Sequence, residues 1–232
     1  MGFINYAHRG ASQYAPENTF LSFYLGIHMG ANGIETDIQL TKDGIPVLFH
    51  DDDLLRVTGH TGTIQDYTFE QLQQIPVKLG TLQDRIPSLE DFLVHFGFRD
   101  LTFAIELKKQ DTVQPVIDLL RQYHMESKSI ITSFDYKSLC QVRKLAPELD
   151  TGFLTAQVTD TLLADMKDRG ILEICPRGAT LNQELVTSYH EKGFRVRAWG
   201  VRDPEMMTFL FRAGVDGMTV NFPDKLTELL KR

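Results

Sequence analysis

Along the chain, short apolar runs rich in β-branched residues alternate with longer stretches whose apolar positions follow the helical repeat. The repeat is clearest at Val113, Val116, Ile117 and Leu120, which share one helical face. Alternating strands and helices predict an α/β protein with a parallel sheet. Eight apolar runs predict strands, at Ile4–His8, Ile34–Leu40, Leu101–Leu107, Ser129–Phe134, Thr151–Thr155, Ile171–Cys175, Arg195–Trp199 and Val215–Val220.

Residues that begin and end helices support this division of the chain. Asn18 is a candidate cap for the first helix, and Asp203–Pro204 is typical of a helix start. Gly170, Gly193 and Gly214 stand where the later helices should end. These start and stop signals agree with the helices that the apolar pattern predicts.

The spacing of the strands favours a closed barrel. From Leu101 onward the predicted strands recur at the spacing of βα units, and eight such units with a parallel sheet form a (β/α)8 TIM barrel. A doubly wound open sheet is the alternative, but the chain lacks the GxGxxG motif that often accompanies it. We expect one domain over residues 1–232.

The regular spacing is interrupted once, between the second and third predicted strands. This segment holds a short apolar run at Ile45–Phe49, a polar turn, and helical patterns near Thr68–Ile75 and Ser88–Phe96. We place a short insertion at about residues 51–90. Material that follows a barrel strand emerges at the carboxyl-terminal face, where active sites form. The insertion is therefore expected to belong to the site or to control access to it.

Composition narrows the class of protein. The 232 residues are 42% hydrophobic and 10% aromatic, which is enough to fill a sizeable core and excludes a disordered chain. The net charge of −7 and the absence of a basic cluster argue against a nucleic-acid partner. No apolar run approaches the roughly 20 residues of a membrane span. With two cysteines and no secretory signal at the start, we expect a reduced, cytoplasmic protein.

Charged side chains near the carboxyl ends of the strands are the first candidates for chemistry. Glu35 and Asp37 are two residues apart on a strand and point the same way, and Glu106 lies on the next barrel strand. Three carboxylates on the inner face repel each other unless a cation lies between them, and they suit Mg²⁺ or Ca²⁺. The alternative is a buried ion-pair network with Arg9 or Lys108.

Two histidines follow the same placement. His8 ends the first strand, and His50 ends the apolar extension that follows the second strand. A lone histidine at a strand end is more often structural. Two of them beside a carboxylate cluster suit a general base and a general acid, because histidine titrates near neutral pH.

Taken together, these motifs resemble the glycerophosphodiester phosphodiesterase family, and the ordered set spans nearly the whole chain. The matching blocks are His8-Arg9-Gly10-Ala11, Pro16-Glu17-Asn18-Thr19, Gly33-Ile34-Glu35-Thr36-Asp37-Ile38, Asp43-Gly44, His50-Asp51, Ile105-Glu106-Leu107-Lys108, Ser133-Phe134, Trp199, Gly214-Val215-Asp216-Gly217 and Asn221-Phe222-Pro223-Asp224. The short insertion is similar to that of the smaller cytosolic, bacterial-type members.

The resemblance implies a role for each strand-end residue. It implies one divalent cation, Mg²⁺ or Ca²⁺, held by Glu35, Asp37 and Glu106. It further implies that His8 and His50 are the acid/base pair and that Arg9 contacts the phosphate. Lys108 and Trp199 match positions that line the substrate pocket. Phe134 either stacks beside the substrate or only packs against its neighbours.

The chain departs from the family pattern after the seventh strand. Many members read Trp-Thr-Val-Asn, whereas this chain reads Trp199-Gly200-Val201-Arg202. This difference changes no residue to which the resemblance gives a chemical role, but it changes the pocket wall next to Trp199. The sequence therefore leaves the preferred alcohol of the substrate open.

The resemblance implies metal-dependent hydrolysis of small-molecule glycerophosphodiesters to sn-glycerol 3-phosphate and an alcohol, in glycerophospholipid degradation or glycerol metabolism. A two-carboxylate glycosidase on the same barrel is one alternative, but it gives His8, His50 and Arg9 no role. A barrel that binds phosphodiesters without cleaving them is another. It would not need both histidines.

Overall fold

The computed structural model describes residues 2–231, in which eleven strands and ten α-helices alternate. The strands are Ile4–His8 (β1), Gly33–Leu40 (β2), Pro46–Leu48 (β3), Val77–Leu79 (β4), Leu82–Asp84 (β5), Thr102–Leu107 (β6), Ser129–Ser133 (β7), Asp150–Thr155 (β8), Glu173–Pro176 (β9), Arg195–Ala198 (β10) and Gly217–Val220 (β11). The helices are Phe20–His28 (α1), Leu55–Thr58 (α2), Phe69–Leu72 (α3), Leu89–Phe96 (α4), Val113–Gln122 (α5), Tyr136–Leu145 (α6), Asp160–Asp168 (α7), Gln183–Glu191 (α8), Pro204–Ala213 (α9) and Pro223–Leu230 (α10).

Eight of the strands form a closed parallel barrel. Their order is β1-β11-β10-β9-β8-β7-β6-β2, and a parallel pairing of β1 with β2 closes the ring. All eight strands predicted from the apolar runs are confirmed, with ends that differ by at most two residues. The predicted (β/α)8 barrel is therefore confirmed.

Local signals set most of the helix boundaries as expected. The side chain of Asp203 caps α9, Pro204 occupies its first turn, and Gly214 ends it at φ 90°. The prediction that Asn18 caps α1 is wrong. Thr19 caps this helix in a capping box with Ser22, while Asn18 is buried with its side chain directed into the barrel. The buried hydrogen bonds that Asn18 makes with Asp37 and Thr36 therefore outweigh its local preference for a helix-cap position.

The main hydrophobic core lies between the helices and the outer face of the barrel. The apolar stripe Val113, Val116, Ile117 and Leu120 of α5 is fully buried there, as its spacing predicts. Aromatic rings of α1, α4 and β6 pack edge to face nearby, at centroid distances of 5.1 Å for Phe23–Phe92 and 5.3 Å for Phe92–Phe103. This packing holds the strands in the register that positions the site.

The insertion rests on the carboxyl end of the barrel and has an apolar cluster of its own. β2 continues past its barrel neighbours and pairs antiparallel with β3. Beyond β3 lie α2, α3 and the β4–β5 hairpin. Their buried side chains form a separate cluster, made by Val47, Phe49, Leu54, Val57, Ile64, Leu72, Ile75, Val77 and Ile86. The predicted helix near Thr68–Ile75 is shorter than expected, and α4 belongs to the main core instead.

None of the helices formed by residues 2–231 has the length and apolar character needed to cross a membrane.

Candidate active site

Strand register alone brings four of the predicted site residues together. In the β1–β2 pair, His8 lies opposite Glu35. In the β2–β6 pair, Asp37 lies opposite Glu106. The carboxyl ends of neighbouring parallel strands meet at one face, so these four side chains share the mouth of the barrel.

The three carboxylates form a compact buried group. Oxygen atoms of Glu35, Asp37 and Glu106 all lie within 4.8 Å of one another. Asp37 Oδ2 accepts a hydrogen bond from Asn18 Nδ2 at 3.0 Å, whereas Asp37 Oδ1 is buried without a hydrogen-bond partner. Such a hard oxygen set with an unused acceptor fits a divalent cation.

Two basic side chains also reach this group. Arg9 Nε lies 3.2 Å from Asp37 Oδ2. Lys108 Nζ lies 2.8 Å from Glu106 Oε1 and 3.5 Å from Asp37 Oδ1. Within residues 2–231, no lysine or arginine forms an ion pair with Glu35, which accepts a hydrogen bond from the backbone N–H of Arg9 at 3.2 Å. The predicted ion pairs of Arg9 and Lys108 are therefore present, but they involve Asp37 and Glu106 and do not pair with the charge of Glu35.

Burial and mutual repulsion change the titration of these acids. Burial and the neighbouring Asp37 charge raise the pKa of Glu35 well above its usual range and that of Glu106 to about 7. Burial acts on Asp37 in the same direction, but Arg9 and Lys108 outweigh it and hold the pKa of Asp37 below its usual value. The group therefore binds a cation best when Glu35 and Glu106 have lost their protons.

We expect the raised pKa of Glu106 to appear in the pH dependence of stability. A group that holds its proton more tightly when folded stabilises the fold below its unfolded pKa of about 4.5, and this contribution is lost as the pH rises through about 7. In the presence of a chelator, the free energy of unfolding should therefore fall over this window. Glu106→Gln should flatten the dependence, as measured by urea unfolding.

Glu191→Gln, which removes an exposed acid at the end of α8, is the matched control and should keep the wild-type slope. If wild type and Glu106→Gln showed the same slope between pH 4.5 and 7, the raised pKa of Glu106 would be wrong.

His8 is held as a neutral proton acceptor. The carbonyl oxygen of the Asn221 side chain lies 2.5 Å from His8 Nδ1, so Nδ1 carries the hydrogen and Nε2 keeps its lone pair. Burial and the adjacent Arg9 charge lower the pKa of His8 to about 4. At neutral pH its Nε2 is a free base beside Glu35, 3.8 Å from Oε2.

His50 is held by a carboxylate. Its Nδ1 lies 2.7 Å from Asp51 Oδ1, which leaves Nε2 free of this contact, and the residue lines the pocket. Asp51 itself accepts two hydrogen bonds from Arg56. The negative charge of Asp51 is placed to balance a positive charge on a protonated imidazole ring.

A tight turn after β1 positions Arg9. Arg9 has a φ of 55° and Gly10 a φ of 81°. A side chain at Gly10 would place its Cβ 2.4 Å from Ser22 Oγ, so only glycine fits between the turn and α1. Arg9 then donates a hydrogen bond to Glu17 Oε1 at 2.8 Å, and its unusual backbone conformation marks a constrained site.

A pocket of about 460 Å³ opens above these residues. Phe134 and Trp199 form its aromatic wall, with ring centroids 5.1 Å apart, and Trp199 Nε1 donates a hydrogen bond to the Cys175 carbonyl at 3.0 Å. Gly200 and Arg202, where the chain departs from the family pattern, line the same pocket. Lys108 is directed at the carboxylates and is not among the lining residues.

The structure adds five polar residues that the sequence analysis did not assign to the site. Asn18 contacts Asp37, and Glu17 contacts Arg9. Asp51 contacts His50, and Asn221 contacts His8. Arg56, on the insertion, contacts both Glu17 and Asp51. Four of the five stand inside the motif blocks, and that membership was the available signal.

Comparison with known proteins agrees with this geometry. A model of the glycerophosphoryl diester phosphodiesterase family matches residues 8–225. A glycerophosphodiester phosphodiesterase of Caldanaerobacter subterraneus is 33% identical over 237 residues, which cover 97% of this chain and 97% of that protein. The solved structure of a phosphodiesterase of Oleispira antarctica, in complex with the product sn-glycerol-3-phosphate, gives a TM-score of 0.91 at 25% identity and covers 98% of this chain and 96% of that one.

The fold and the site define a barrel hydrolase with carboxylates, histidines and an arginine gathered at one mouth, a set suited to phosphate esters. The chain belongs to the glycerophosphoryl diester phosphodiesterase family, and it is an enzyme of that class.

Proposed function

We propose that the chain hydrolyses glycerophosphodiesters to sn-glycerol 3-phosphate and an alcohol, with the help of one divalent cation. The observation that carries the proposal is the meeting of three buried carboxylates with two separately held histidines at the barrel mouth, where all of them except Asp37 line one pocket. The product complex of the Oleispira antarctica phosphodiesterase supports the same chemistry.

Glu35, Asp37 and Glu106 would hold the cation, and the buried Asp37 Oδ1, which accepts no hydrogen bond, supports this assignment. When bound there, Mg²⁺ or Ca²⁺ supplies positive charge that offsets the charge of the phosphodiester and of its transition state. Both ions accept oxygen ligands, so the donor set is compatible with either.

His8 is the general base in this proposal. Its neutral Nε2 accepts the proton of the glycerol hydroxyl, whose oxygen attacks the phosphorus atom. The bond to the alcohol oxygen breaks, and a cyclic glycerol phosphate forms. The hydrogen bond from Nδ1 to Asn221 keeps the lone pair of Nε2 directed to the site.

His50 is the general acid. It donates a proton to the departing alcohol oxygen, and Asp51 balances the charge of the ring before the transfer. In the second step the roles reverse: His50 takes a proton from water as the water oxygen attacks the cyclic phosphate, and His8 returns a proton to the glycerol oxygen. Both histidines end in their starting states.

The remaining residues bind and orient the substrate. Arg9 is placed to contact the phosphate, since its guanidinium is anchored on Glu17 and Asp37 while the residue lines the pocket. Lys108 contributes positive charge through its contacts with Glu106 and Asp37. Phe134 and Trp199 form the wall against which the substrate lies.

We place this enzyme in the cytoplasm, acting as one domain over residues 1–232 in glycerophospholipid degradation or glycerol metabolism. The acidic net charge of −7 and the two unpaired cysteines support this placement. No nucleic-acid partner is required by the proposal.

The proposed function is tested by measuring release of glycerol 3-phosphate from glycerophosphocholine with and without a chelator. We expect release that stops on chelation and returns with Mg²⁺ or Ca²⁺. Binding without cleavage would favour a non-catalytic barrel, and cleavage of glycosides instead would favour a glycosidase. Cleavage that continues unchanged in chelator would overturn the metal assignment alone.

A further inference from the structure

Arg56 lies on α2 of the insertion and bridges two carboxylates from different parts of the chain. Its Nη1 and Nη2 donate hydrogen bonds to Glu17 at 2.8 and 2.7 Å. Its Nε and Nη2 donate to Asp51 at 2.5 and 3.0 Å. Both contacts are bidentate, which is the strongest form of arginine–carboxylate pairing.

Each of these carboxylates also touches the machinery of the site. Asp51 Oδ1 lies 2.7 Å from His50 Nδ1. Glu17 Oε1 accepts a hydrogen bond from Arg9 Nη1 at 2.8 Å. The guanidinium of Arg56 therefore contacts both Asp51, which holds the proposed general acid, and Glu17, which holds the proposed phosphate-binding arginine.

The charges explain why a cation is needed at this point. Atoms of Glu17, Asp51 and His50 lie within 4.8 Å of one another, so the two carboxylates would repel each other if nothing lay between them. The guanidinium of Arg56 already makes hydrogen bonds to both acids, so the cluster has its counter-charge. Its planar fork matches two carboxylates at once, a geometry that the single ammonium of lysine does not reproduce.

We propose that Arg56 is a positioning residue for the reaction, which fixes His50 through Asp51 and Arg9 through Glu17. The insertion then takes part in assembling the reactive groups in addition to covering the barrel mouth. The inference rests on the proposed function, because it assumes that His50 donates the proton and that Arg9 binds the phosphate.

Arg56 acts on His50 through Asp51, which we call the His50 arm, and on Arg9 through Glu17, which we call the Arg9 arm. Single substitutions separate the kinetic effects that each arm predicts. Asp51→Asn removes the carboxylate beside His50 and keeps the one beside Arg9, so it should slow cleavage of glycerophosphocholine far more than cleavage of a nitrophenyl ester of glycerol phosphate, whose leaving group needs no proton. Glu17→Gln removes the carboxylate beside Arg9 and keeps the one beside His50, so it should slow both substrates equally and weaken inhibition by glycerol 3-phosphate.

Arg56→Gln should show both signatures together. We expect a loss of about 10–100-fold on glycerophosphocholine, a smaller loss on the nitrophenyl ester, and weaker inhibition by glycerol 3-phosphate. Arg56→Lys should restore little of the activity, since it keeps the charge and loses the fork. Because the side chain of Arg56 is 51% exposed, the variants are expected to fold, which thermal unfolding checks.

Arg121→Gln is the control, because it breaks an exposed arginine–carboxylate pairing with Glu148 at 2.7 Å that lies outside the pocket. It should keep wild-type kinetics on both substrates. The inference is overturned if Arg56→Lys is fully active, if Arg56→Gln slows both substrates by one common factor, or if the two single-arm variants lack their separate signatures. If the wild type cleaves neither substrate, the proposed function fails instead.

Discussion

Replacing His50 by alanine should abolish cleavage of glycerophosphocholine yet spare much of the first step on a nitrophenyl ester of glycerol phosphate. Replacing His8 by alanine should abolish cleavage of both substrates. A nitrophenolate leaves as a stable anion and needs no proton, so it bypasses the general acid but not the base. The measurement is the burst or initial rate of nitrophenol release beside glycerol 3-phosphate release from the choline ester.

The expected effects are large. A positioned acid or base contributes about 10²–10⁴ in rate, so each alanine variant should be nearly inactive on the choline ester. The structure supports the direction of the assignment, because Asn221 holds His8 as a free base and Asp51 faces His50 with negative charge.

The outcomes of this comparison are distinct. Recovery on the nitrophenyl ester in the His8 variant alone would reverse the two roles. Recovery in neither variant would mean that both histidines mainly hold the phosphate. His190→Ala is a suitable control, since His190 pairs with Asp216 at 2.8 Å outside the pocket and should keep wild-type rates on both substrates.

Asp37→Asn should lower metal affinity and activity together. The substitution keeps the shape of the side chain and removes one charge from the three carboxylates. Metal stabilisation of developing charge is worth several kcal/mol. At a metal concentration that saturates the wild type, we therefore expect Asp37→Asn to lose a factor on the order of 10²–10³ in rate. Activity titrated with Mg²⁺ and Ca²⁺, together with calorimetric binding, measures both effects.

Glu173→Gln is the control for loss of a buried charge in the barrel. Glu173 pairs with Arg197 at 3.0 Å on the neighbouring strands and does not belong to the three-carboxylate group. This variant should lose stability but keep the wild-type metal midpoint. If Asp37→Asn instead kept an unchanged metal dependence, the carboxylates would be an ion-pair network with Arg9 and Lys108.

The sequence predicts the barrel well because its signals are local. Each barrel strand is a short apolar run, and several helices have an apolar stripe or recognisable end residues such as Asp203 and Gly214. The closing of eight βα units then follows from their number and spacing. The insertion was less predictable, since its short elements pack into a cluster of their own and have weak periodicity.

The candidate site was predictable where strand register decides it. His8, Glu35, Asp37 and Glu106 are brought together by the pairing of β1, β2 and β6, so strand-end position is sufficient. Their roles as ligands, base and acid stay predictions. The assignment of Asn18 to a helix cap failed because asparagine suits both a cap and a buried hydrogen bond, and only the fold selects between them.

Contacts between distant segments could not be read from the chain. Arg56 meets Glu17 across 39 positions, and His8 meets Asn221 across 213. No periodic pattern links such residues. The side chain of Lys108 pairs with Glu106, two positions earlier in the chain, and sequence spacing alone does not separate this contact from a place in the pocket lining.

The closed pairing of β1 with both β2 and β11 has a consequence for how this enzyme can diversify. Every residue assigned to the cation, the proton transfers or the phosphate lies between His8 and Lys108. Most of the pocket wall, including Phe134, Trp199 and Arg202, comes from the later half of the chain. Substitutions in the later stretch can thus reshape the pocket wall without replacing any residue assigned to the cation, the proton transfers or the phosphate, provided that Asn221 is retained beside His8.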